Sequence, residues 1–298
     1  MPSPAIRPSC YGPDAMMPME GSIVIRISSL MVLTRGIFLP LLLTATLGVP
    51  CASASESDET LSREAFMEEV VGRYAHYDIV AYVAALPMRT MRSLVITYGF
   101  TDFHLEGETL VESETFCHAS YKANLPITTE VSDAFTRAIV PRSTPVELYP
   151  SDSGWTIWRP ETPTPLGVDL TDGEPLPTDP ALAKPKDDDQ DGKPGVTVHM
   201  KLFGLIPAEM YIARRERFAY ELKRQKDGPL TGVVHDQSEQ LVLGASHRWL
   251  KRQTLTRQDP DLSQSPILLV PVGQDYDCDR LMAERDSLFP PEPRVPRR

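Results

Sequence analysis

The chain has few cations, only four cysteines and no apolar run long enough to cross a bilayer. Lys and Arg number 30 against 41 Asp and Glu, so the formal net charge is −11. This acidic balance disfavours nucleic acid and anionic membrane surfaces as partners, because both need a basic face. The apolar run at residues 36–49 has about 14 residues, whereas a membrane helix needs about 20, so no transmembrane span is expected in the mature chain.

Recognisable catalytic motifs are also absent. The sequence contains no GxSxG, P-loop or HExxH pattern and no GxGxxG within a βαβ unit. Its six histidines are dispersed, without the HxH or HxxxH pairs that would indicate zinc. A non-enzymatic role is therefore favoured, and a hydrolase without a known motif stays open as an alternative.

Residues 31–54 have the pattern of a signal peptide. Arg35 precedes the apolar run, and Ala52-Ser53-Ala54 fits a signal-peptidase site with cleavage after Ala54. Residues 1–30 lie before this signal and are expected to be an upstream extension. The pattern predicts an exported protein that is periplasmic or extracellular.

Two cysteines remain after the predicted cleavage site. Cys10 and Cys51 precede that site, which leaves Cys117 and Cys278 in the mature chain. Two cysteines in an oxidising compartment predict one disulfide, and two unrelated buried thiols are the alternative.

The mature chain reads as mainly β with a short helix near each end. Thr60 is a helix-capping residue before an apolar pattern of helical spacing, and residues 278–288 form a second helical pattern. Strand patterns without βαβ alternation predict an antiparallel barrel or sandwich in one domain, residues 55–289, followed by a disordered tail at 290–298. The predicted strands are 72–83, 93–100, 109–118, 196–202, 210–220, 230–234, 239–243 and 267–272.

Residues 141–195 are predicted to form a long irregular excursion. The stretch from Pro141 to Pro194 holds 11 of the chain's 29 prolines, and proline removes a backbone donor, so most of it is not expected inside a sheet. One strand pattern, Gly154–Trp158, interrupts it. An excursion of this length is usually held by a packed surface or a bound ion, or else is disordered.

An acidic turn lies near the end of the excursion. Asp187, Asp189 and Asp191 alternate and are followed at once by Gly192, an arrangement that can curl around one hard cation. The spacing resembles positions 1, 3 and 5 of an EF-hand loop, with Gly192 at position 6 and the Lys193 carbonyl at position 7. Position 12 is Val198, which is no ligand.

The turn is also similar to the DxDxDGxPD loops that precede strands in FG-GAP calcium repeats. Gly195 stands where those loops have a fourth acid, and no second copy occurs. These resemblances imply a Ca²⁺ ion bound by Asp187, Asp189, Asp191 and the Lys193 carbonyl, with Asp188, Asp179, Asp172, Glu174 or water as further oxygen donors. An acidic surface turn without an ion is the alternative.

The overall plan resembles a lipocalin barrel. The opening helix, Gly72-X-Tyr74 at the start of the first strand and a cysteine near the C-terminal helix occupy corresponding places, although lipocalins have tryptophan where Tyr74 stands. The resemblance implies a barrel that binds a small apolar ligand. An open interior lined from alternate strand positions would support that function, and a solid core would count against it.

Three side-chain patterns carry alternative interpretations. Trp155 and Trp158 would serve a secreted protein- or polysaccharide-interaction module if they were exposed. Glu112 and Glu114 share one face of a strand, where alternating acids usually mark the solvated side, and only in a cleft would they act as an acid–base pair. The run from Arg214 to Arg217 is interpreted as a solvated edge strand.

Overall fold

The computed structural model describes residues 61–86, 89–152, 154–171, 173–224, 228–252 and 256–295. The expected upstream extension at 1–30, the signal peptide at 31–54 and Asp172 lie outside these residues. Chain contacts divide the molecule into residues 1–55 and 56–298, and the second unit contains every described element.

The described residues form fifteen strands and three α-helices. The helices are α1 (Arg63–Val70), α2 (Asp133–Arg137) and α3 (Cys278–Leu288). The strands are β1 (Gly72–Leu86), β2 (Arg89–Glu106), β3 (Thr109–Ala123), β4 (Ile127–Val131), β5 (Thr144–Pro145), β6 (Glu147–Ser151), β7 (Gly154–Arg159), β8 (Thr164–Leu166), β9 (Val196–Leu202), β10 (Ile206–Glu216), β11 (Phe218–Arg224), β12 (Leu230–Asp236), β13 (Glu239–Ala245), β14 (Arg257–Gln258) and β15 (Pro266–Val272).

All of these strands belong to one curled antiparallel sheet that forms a half-barrel. The order across the sheet is β13-β10-β9-β4-β3-β2-β1-β15-β12-β11-β7-β6, with β14 on β1, β5 on β3 and β8 on β10. The prediction of a mainly β, antiparallel protein with a C-terminal helix is confirmed. The curl brings β7 back toward β3, although five strands separate them in the order.

The two faces of β1 explain how the sheet is covered. Tyr74 and Val80 face the concave interior and pack with the apolar side of α1, whose N-terminus is capped by the Ser62 hydroxyl. Tyr77 and Ile79, at the alternate positions, face the opposite side and pack against α3 and Phe289. Because side chains alternate along a strand, one strand contributes to two separate cores.

The predicted disulfide is present between Cys117 and Cys278, which are 161 residues apart. A bulge between Tyr98 and Gly99 shifts the register against β3, so that Cys117 lies on the face covered by α3. Gly99 permits this approach, because a Cβ there would lie 2.2 Å from the Thr115 carbonyl oxygen. The segment predicted as a free tail contacts the sheet through Glu292, which accepts a hydrogen bond from the Tyr98 hydroxyl at 2.9 Å.

The proline-rich excursion is more ordered than predicted. The strand at Gly154 is confirmed as β7, but β5, β6 and β8 also lie between residues 144 and 166. Prolines fit there because β5 and β8 are two and three residues long and β6, which contains Pro150, is an edge strand. The irregular part is residues 167–195, whose only described helical turn is at Pro180–Leu182.

The arginine-rich stretch is not a solvated edge, so that prediction is wrong. β10 lies inside the sheet between β9 and β13. Arg214 pairs with Glu216 at 2.7 Å, and Arg215 and Arg217 both reach Glu239, at 3.3 and 3.6 Å. Each arginine is thus matched by a carboxylate of its own or the neighbouring strand.

Candidate functional site

The acidic turn converges as its spacing predicts. One carboxylate oxygen each from Asp187, Asp189 and Asp191 lies within 4.8 Å of the other two. Two oxygens that share a calcium ion with bonds of 2.3–2.6 Å can be no more than about 5 Å apart, so this spread is compatible with a single ion.

Backbone hydrogen bonds hold the turn in this shape. Asp187 accepts from the amides of Asp191 and Gly192 at 3.1 and 2.9 Å, and Asp191 accepts from the Lys193 amide at 2.9 Å. Asp189 accepts from the Thr197 amide at 2.8 Å, which ties the turn to the first residues of β9. The carboxylates are therefore positioned before any ion binds.

The second oxygen of Asp189 lacks a partner. Asp189 Oδ1 is buried and has no hydrogen bond among the described residues. Partial burial and the neighbouring charge of Asp191 raise the pKa of the Asp189 carboxyl, with the Thr197 amide opposing. A cation at this point would satisfy the oxygen and favour the ionised form.

The other predicted ligands have different places. Asp188 accepts from the Gly167 amide at 2.7 Å, so it joins the turn to the residue after β8. The Lys193 ammonium lies 2.7 Å from Glu209 and 3.7 Å from an oxygen of Asp191, so it already balances part of the acidic charge. Val198 is buried in β9, as expected of a residue that is no ligand.

A second group of charges lies in the concave interior, where the sequence did not predict it. Arg159 of β7 donates from Nε to Glu112 at 2.7 Å and from Nη2 to Glu114 at 3.2 Å. His76 and Asp78 of β1 complete this group, which we call the interior cluster. Glu112 is 0% and Arg159 4% exposed, so the contacts cross the inside of the half-barrel away from water.

Two members of the interior cluster, His76 and Arg159, have further partners, whereas Glu112 Oε2 and Glu114 Oε1 are buried without a hydrogen bond among the described residues. His76 lies 2.8 Å from Asp78 through Nε2, and 2.8 Å from the Thr101 hydroxyl and 3.8 Å from Glu114 through Nδ1. Arg159 Nη1 donates to the Phe218 carbonyl at 2.7 Å, and its guanidinium lies 4.7 Å from the centre of the Phe218 ring.

Electrostatics determine where the protons of this cluster lie. Burial and the charge of Glu114 raise the pKa of Glu112 to about 8, against the opposing effect of Arg159. Burial disfavours charge on His76, but the hydrogen bond and charge of Asp78, together with Glu114, outweigh it and raise the His76 pKa. Burial likewise raises the pKa of Glu114, against the opposing charges of Arg159 and His76.

The interpretation of Glu112 and Glu114 as a solvated face is therefore wrong. Period-two alternation shows that two residues share a face, but both faces of β3 are covered at this level. The burial of Glu112 could have been predicted only by knowing that Arg159, 47 residues further along the chain, lies beside β3 in the fold. Their burial against Arg159 also gives them no cleft in which to act on a substrate.

The tryptophans of the excursion are half-buried. Trp155 packs against the interior core and donates from Nε1 to the Leu61 carbonyl at 2.9 Å. The Trp158 ring meets the His235 ring edge-on at 5.4 Å. Both rings are therefore partly covered by the protein's own residues.

Two cavities among the described residues open to solvent. One, of about 430 Å³, lies at the end of β9 and β10 and is lined by residues including His199, Lys201, Pro207 and His247. The other, of about 550 Å³, lies beside Asn124 and Pro293. The interior cluster lines neither cavity. Within the described residues no helix is both long and apolar enough to span a membrane.

Comparisons with protein families, with curated proteins and with solved structures found no match for this chain. Its function must therefore be inferred from its own residues.

Proposed function

We propose that this chain is an exported, non-enzymatic β protein that binds one structural Ca²⁺ ion at Asp187, Asp189 and Asp191. The observation that carries the proposal is the convergence of three carboxylates, one of which, Asp189, has a buried oxygen without a hydrogen-bond partner among the described residues. Calcium prefers oxygen ligands and accepts the irregular geometry that a short turn offers.

The ion stabilises the junction between the irregular segment and the sheet. Asp189 is bonded to Thr197 of β9, and the adjacent Asp188 is bonded to Gly167 beyond β8. An ion that links Asp189 to Asp187 and Asp191 therefore joins both attachment points. Three protein carboxylates, one carbonyl and water make a modest ligand set, so we expect a Kd on the order of 10⁻⁴–10⁻³ M, as in extracellular calcium modules.

Export is supported by two independent features. Residues 31–54 have the pattern of a signal peptide, and the Cys117–Cys278 disulfide belongs to chains that fold in an oxidising compartment. Calcium binding at the proposed affinity also suits a compartment outside the cytosol.

A lipocalin-type apolar ligand is the weaker candidate. The lipocalin resemblance rests on Gly72-X-Tyr74 and the placement of the helices, but the middle of the concave face is occupied by Arg159 and its glutamate partners. A charged, hydrogen-bonded interior at that level disfavours an apolar guest. The interaction-module alternative loses its support because Trp155 and Trp158 are half-buried.

Calcium titration calorimetry and thermal melting test the proposal. At a free concentration 100 times Kd, binding to the native state alone contributes about 2.7 kcal/mol, which raises Tm by about 5–10 °C for a domain of this size. Asp189→Asn keeps an acceptor for the Thr197 amide but removes the charge. The calcium affinity should therefore fall at least tenfold, and the Tm shift at a given calcium concentration should become smaller. Asp169→Asn, at an exposed aspartate of the same segment, is the matched control.

Absence of both heat and a Tm shift in the unmutated chain would refute the calcium site. Equal losses in Asp189→Asn and Asp169→Asn would show a general charge effect. Magnesium should give a smaller shift, because it demands near-octahedral geometry and keeps its waters.

A further inference from the structure

The hairpin between β9 and β10 ends in a convex apolar tip. Phe203 is 68% exposed, Leu205 86% and Ile206 47%. We call these three residues the apolar tip. The turn is a tight one, in which the Leu205 amide donates to the Leu202 carbonyl at 3.1 Å.

Phe203 is an unusual residue for this turn. Its φ of 51° is left-handed, and Gly204 follows with a φ of 73°. Such two-residue turns favour Asn, Asp or Gly at the first central position, because a larger side chain is strained there. The Phe203 amide donates to the Pro126 carbonyl at 2.8 Å, which holds the backbone in place while the ring remains exposed. The backbone of Phe203 is strained, yet its ring is not buried, which points to a contact between the ring and something outside the protein.

A basic segment lies at the same end of the sheet. Residues 248–252 read Arg-Trp-Leu-Lys-Arg, and Leu250 anchors them by packing against the core of β9 and β10. Trp249 is 49% exposed, and Arg248, Lys251 and Arg252 are exposed. None of these three cations forms an ion pair with a described residue.

The basic segment and the apolar tip are neighbours. The Trp249 ring lies 5.9 Å from the His247 ring, and His247 lines the 430 Å³ cavity together with Lys201 and Pro207. Lys201 and Pro207 are paired across the hairpin, immediately before the tip. The apolar tip and the basic segment therefore lie at the same end of the sheet, each adjoining residues that line this cavity.

The remaining charges at this end reinforce the pattern. The acids Glu130, Glu209 and Asp259 are each paired, with Lys201, Lys193 and Arg92 at 2.6, 2.7 and 2.7 Å. Arg89 is exposed near Asn124, whose amide donates to the Thr90 carbonyl, and it forms no ion pair with a described residue. This end is locally basic although the whole chain carries −11.

We propose that this end of the sheet docks on a phospholipid bilayer that contains anionic headgroups, with the apolar tip inserted among the lipids and the basic segment on the headgroups. Three apolar side chains and an interfacial tryptophan suit shallow insertion, supplemented by basic residues. These four side chains form a small convex patch. A stable protein interface needs about 800 Å² per partner, so the patch suits lipid better than a protein partner. The acidic remainder is repelled by the same surface, which orients the protein with this end toward the lipid.

The sequence-based exclusion of anionic membranes applies to the net charge alone. A net charge describes the molecule at distances well beyond the Debye length of about 8–10 Å, whereas docking depends on the charges within that length. This inference does not depend on the calcium site, which lies before β9, at the opposite end of that strand from the tip.

Vesicle sedimentation tests the proposal on residues 56–298, a compact unit with its own core and disulfide but without the apolar run at 36–49. We expect binding to vesicles of phosphatidylcholine mixed with phosphatidylglycerol, weaker binding to phosphatidylcholine alone, and loss of the difference at high salt. Replacing Phe203 and Leu205 by Ser should reduce partitioning by about tenfold or more on both vesicles. Leu182→Ser, at a residue 71% exposed on the irregular segment, is the apolar control.

The cations are tested separately. Changing Arg248, Lys251 and Arg252 to Gln should reduce the preference for anionic over neutral vesicles by about tenfold. It should also make vesicle binding less sensitive to salt. The charge-matched control changes three exposed cations elsewhere in the chain, Arg142, Lys184 and Lys223, to Gln.

Several outcomes would overturn the proposal. They are no vesicle binding by the unmutated protein, equal binding by the tip variant, or equal effects of control and test variants at unchanged melting temperatures. If the tip variant instead abolishes a dimer seen by analytical ultracentrifugation without lipid, the tip binds a second copy and the proposal is wrong.

Discussion

Glu112→Gln should make the protein more stable at neutral pH, although it removes a fully buried charge-bearing group. Glutamine has the shape of a protonated glutamate, and its carbonyl oxygen can keep the 2.7 Å hydrogen bond from Arg159. The folded protein holds a proton on Glu112 because burial and Glu114 raise its pKa from 4.5 to about 8. The Gln amide nitrogen then takes the place of Oε2, which has no hydrogen-bond partner among the described residues, and the main difference between the two proteins is the ionisation of Glu112 in the unfolded wild-type chain.

The size of the effect follows from linkage. A raised pKa in the folded state gives stability that is full below pH 4.5 and lost as pH rises through about 8. Between these values the unfolded chain releases the proton and the folded one retains it, so the unfolding free energy falls by about 1.4 kcal/mol per pH unit. From pH 5 to pH 7 the wild type should lose on the order of 3 kcal/mol that the variant retains.

Urea unfolding at pH 5, 6, 7 and 8 measures this difference. The unfolding free energies of wild type and Glu112→Gln should nearly coincide at pH 5 and diverge steadily toward pH 8, with the variant the more stable. Glu108→Gln, at an exposed residue of the turn between β2 and β3, should run parallel to the wild type. A difference between wild type and Glu112→Gln that stays constant with pH would refute the protonated state of Glu112.

Three further perturbations test the structure. Arg159→Met leaves buried carboxylates without their cation and should destabilise by about 3–5 kcal/mol at pH 7, and by less at pH 5, in the same urea assay. Cys117→Ser should lower the unfolding free energy by about 5 kcal/mol in the chain-entropy model, because the Cys278 bond encloses a loop of about 160 residues; reduction of the wild type should have the same effect. Gly195→Ala should lower Tm more than Gly192→Ala, since both glycines have left-handed φ but only at Gly195 would a Cβ lie 2.3 Å from a carbonyl oxygen; equal shifts would contradict the packing at Gly195.

Elements with strong local signals were predicted closely. The C-terminal helix was placed at 278–288, its range in the structure, because the capping Asp277 and the proline after Phe289 set both ends. The alternation of apolar and polar residues placed β9 at 196–202, which is also its range in the structure. The predicted strand at 210–220 is divided at Arg217, where the Ser238 hydroxyl accepts the Arg217 amide hydrogen and the chain passes from β10 to β11.

What could not be predicted depends on contacts between distant parts of the chain. The acidic turn is local, so its three aspartates could be found by spacing. The interior cluster joins β1, β3 and β7, and alternation along β3 cannot tell whether its polar face meets water or another part of the sheet. Net charge likewise concealed the basic end, because Arg248 and Lys251 reach the end of the sheet that carries Phe203 only through the pairing of β10 with β13.

The order in which the sheet and the disulfide can form has a consequence for folding as the chain is synthesised. β1 pairs with β15, the last strand, and Cys117 must wait for Cys278 at the start of α3. A chain that emerges from the ribosome with its N-terminus first can therefore complete neither the sheet nor the covalent bond until almost all of it has been made. Such long-range pairing folds slowly, so β1 is an unpaired edge on one side during that interval and depends on β2 alone for its hydrogen bonds.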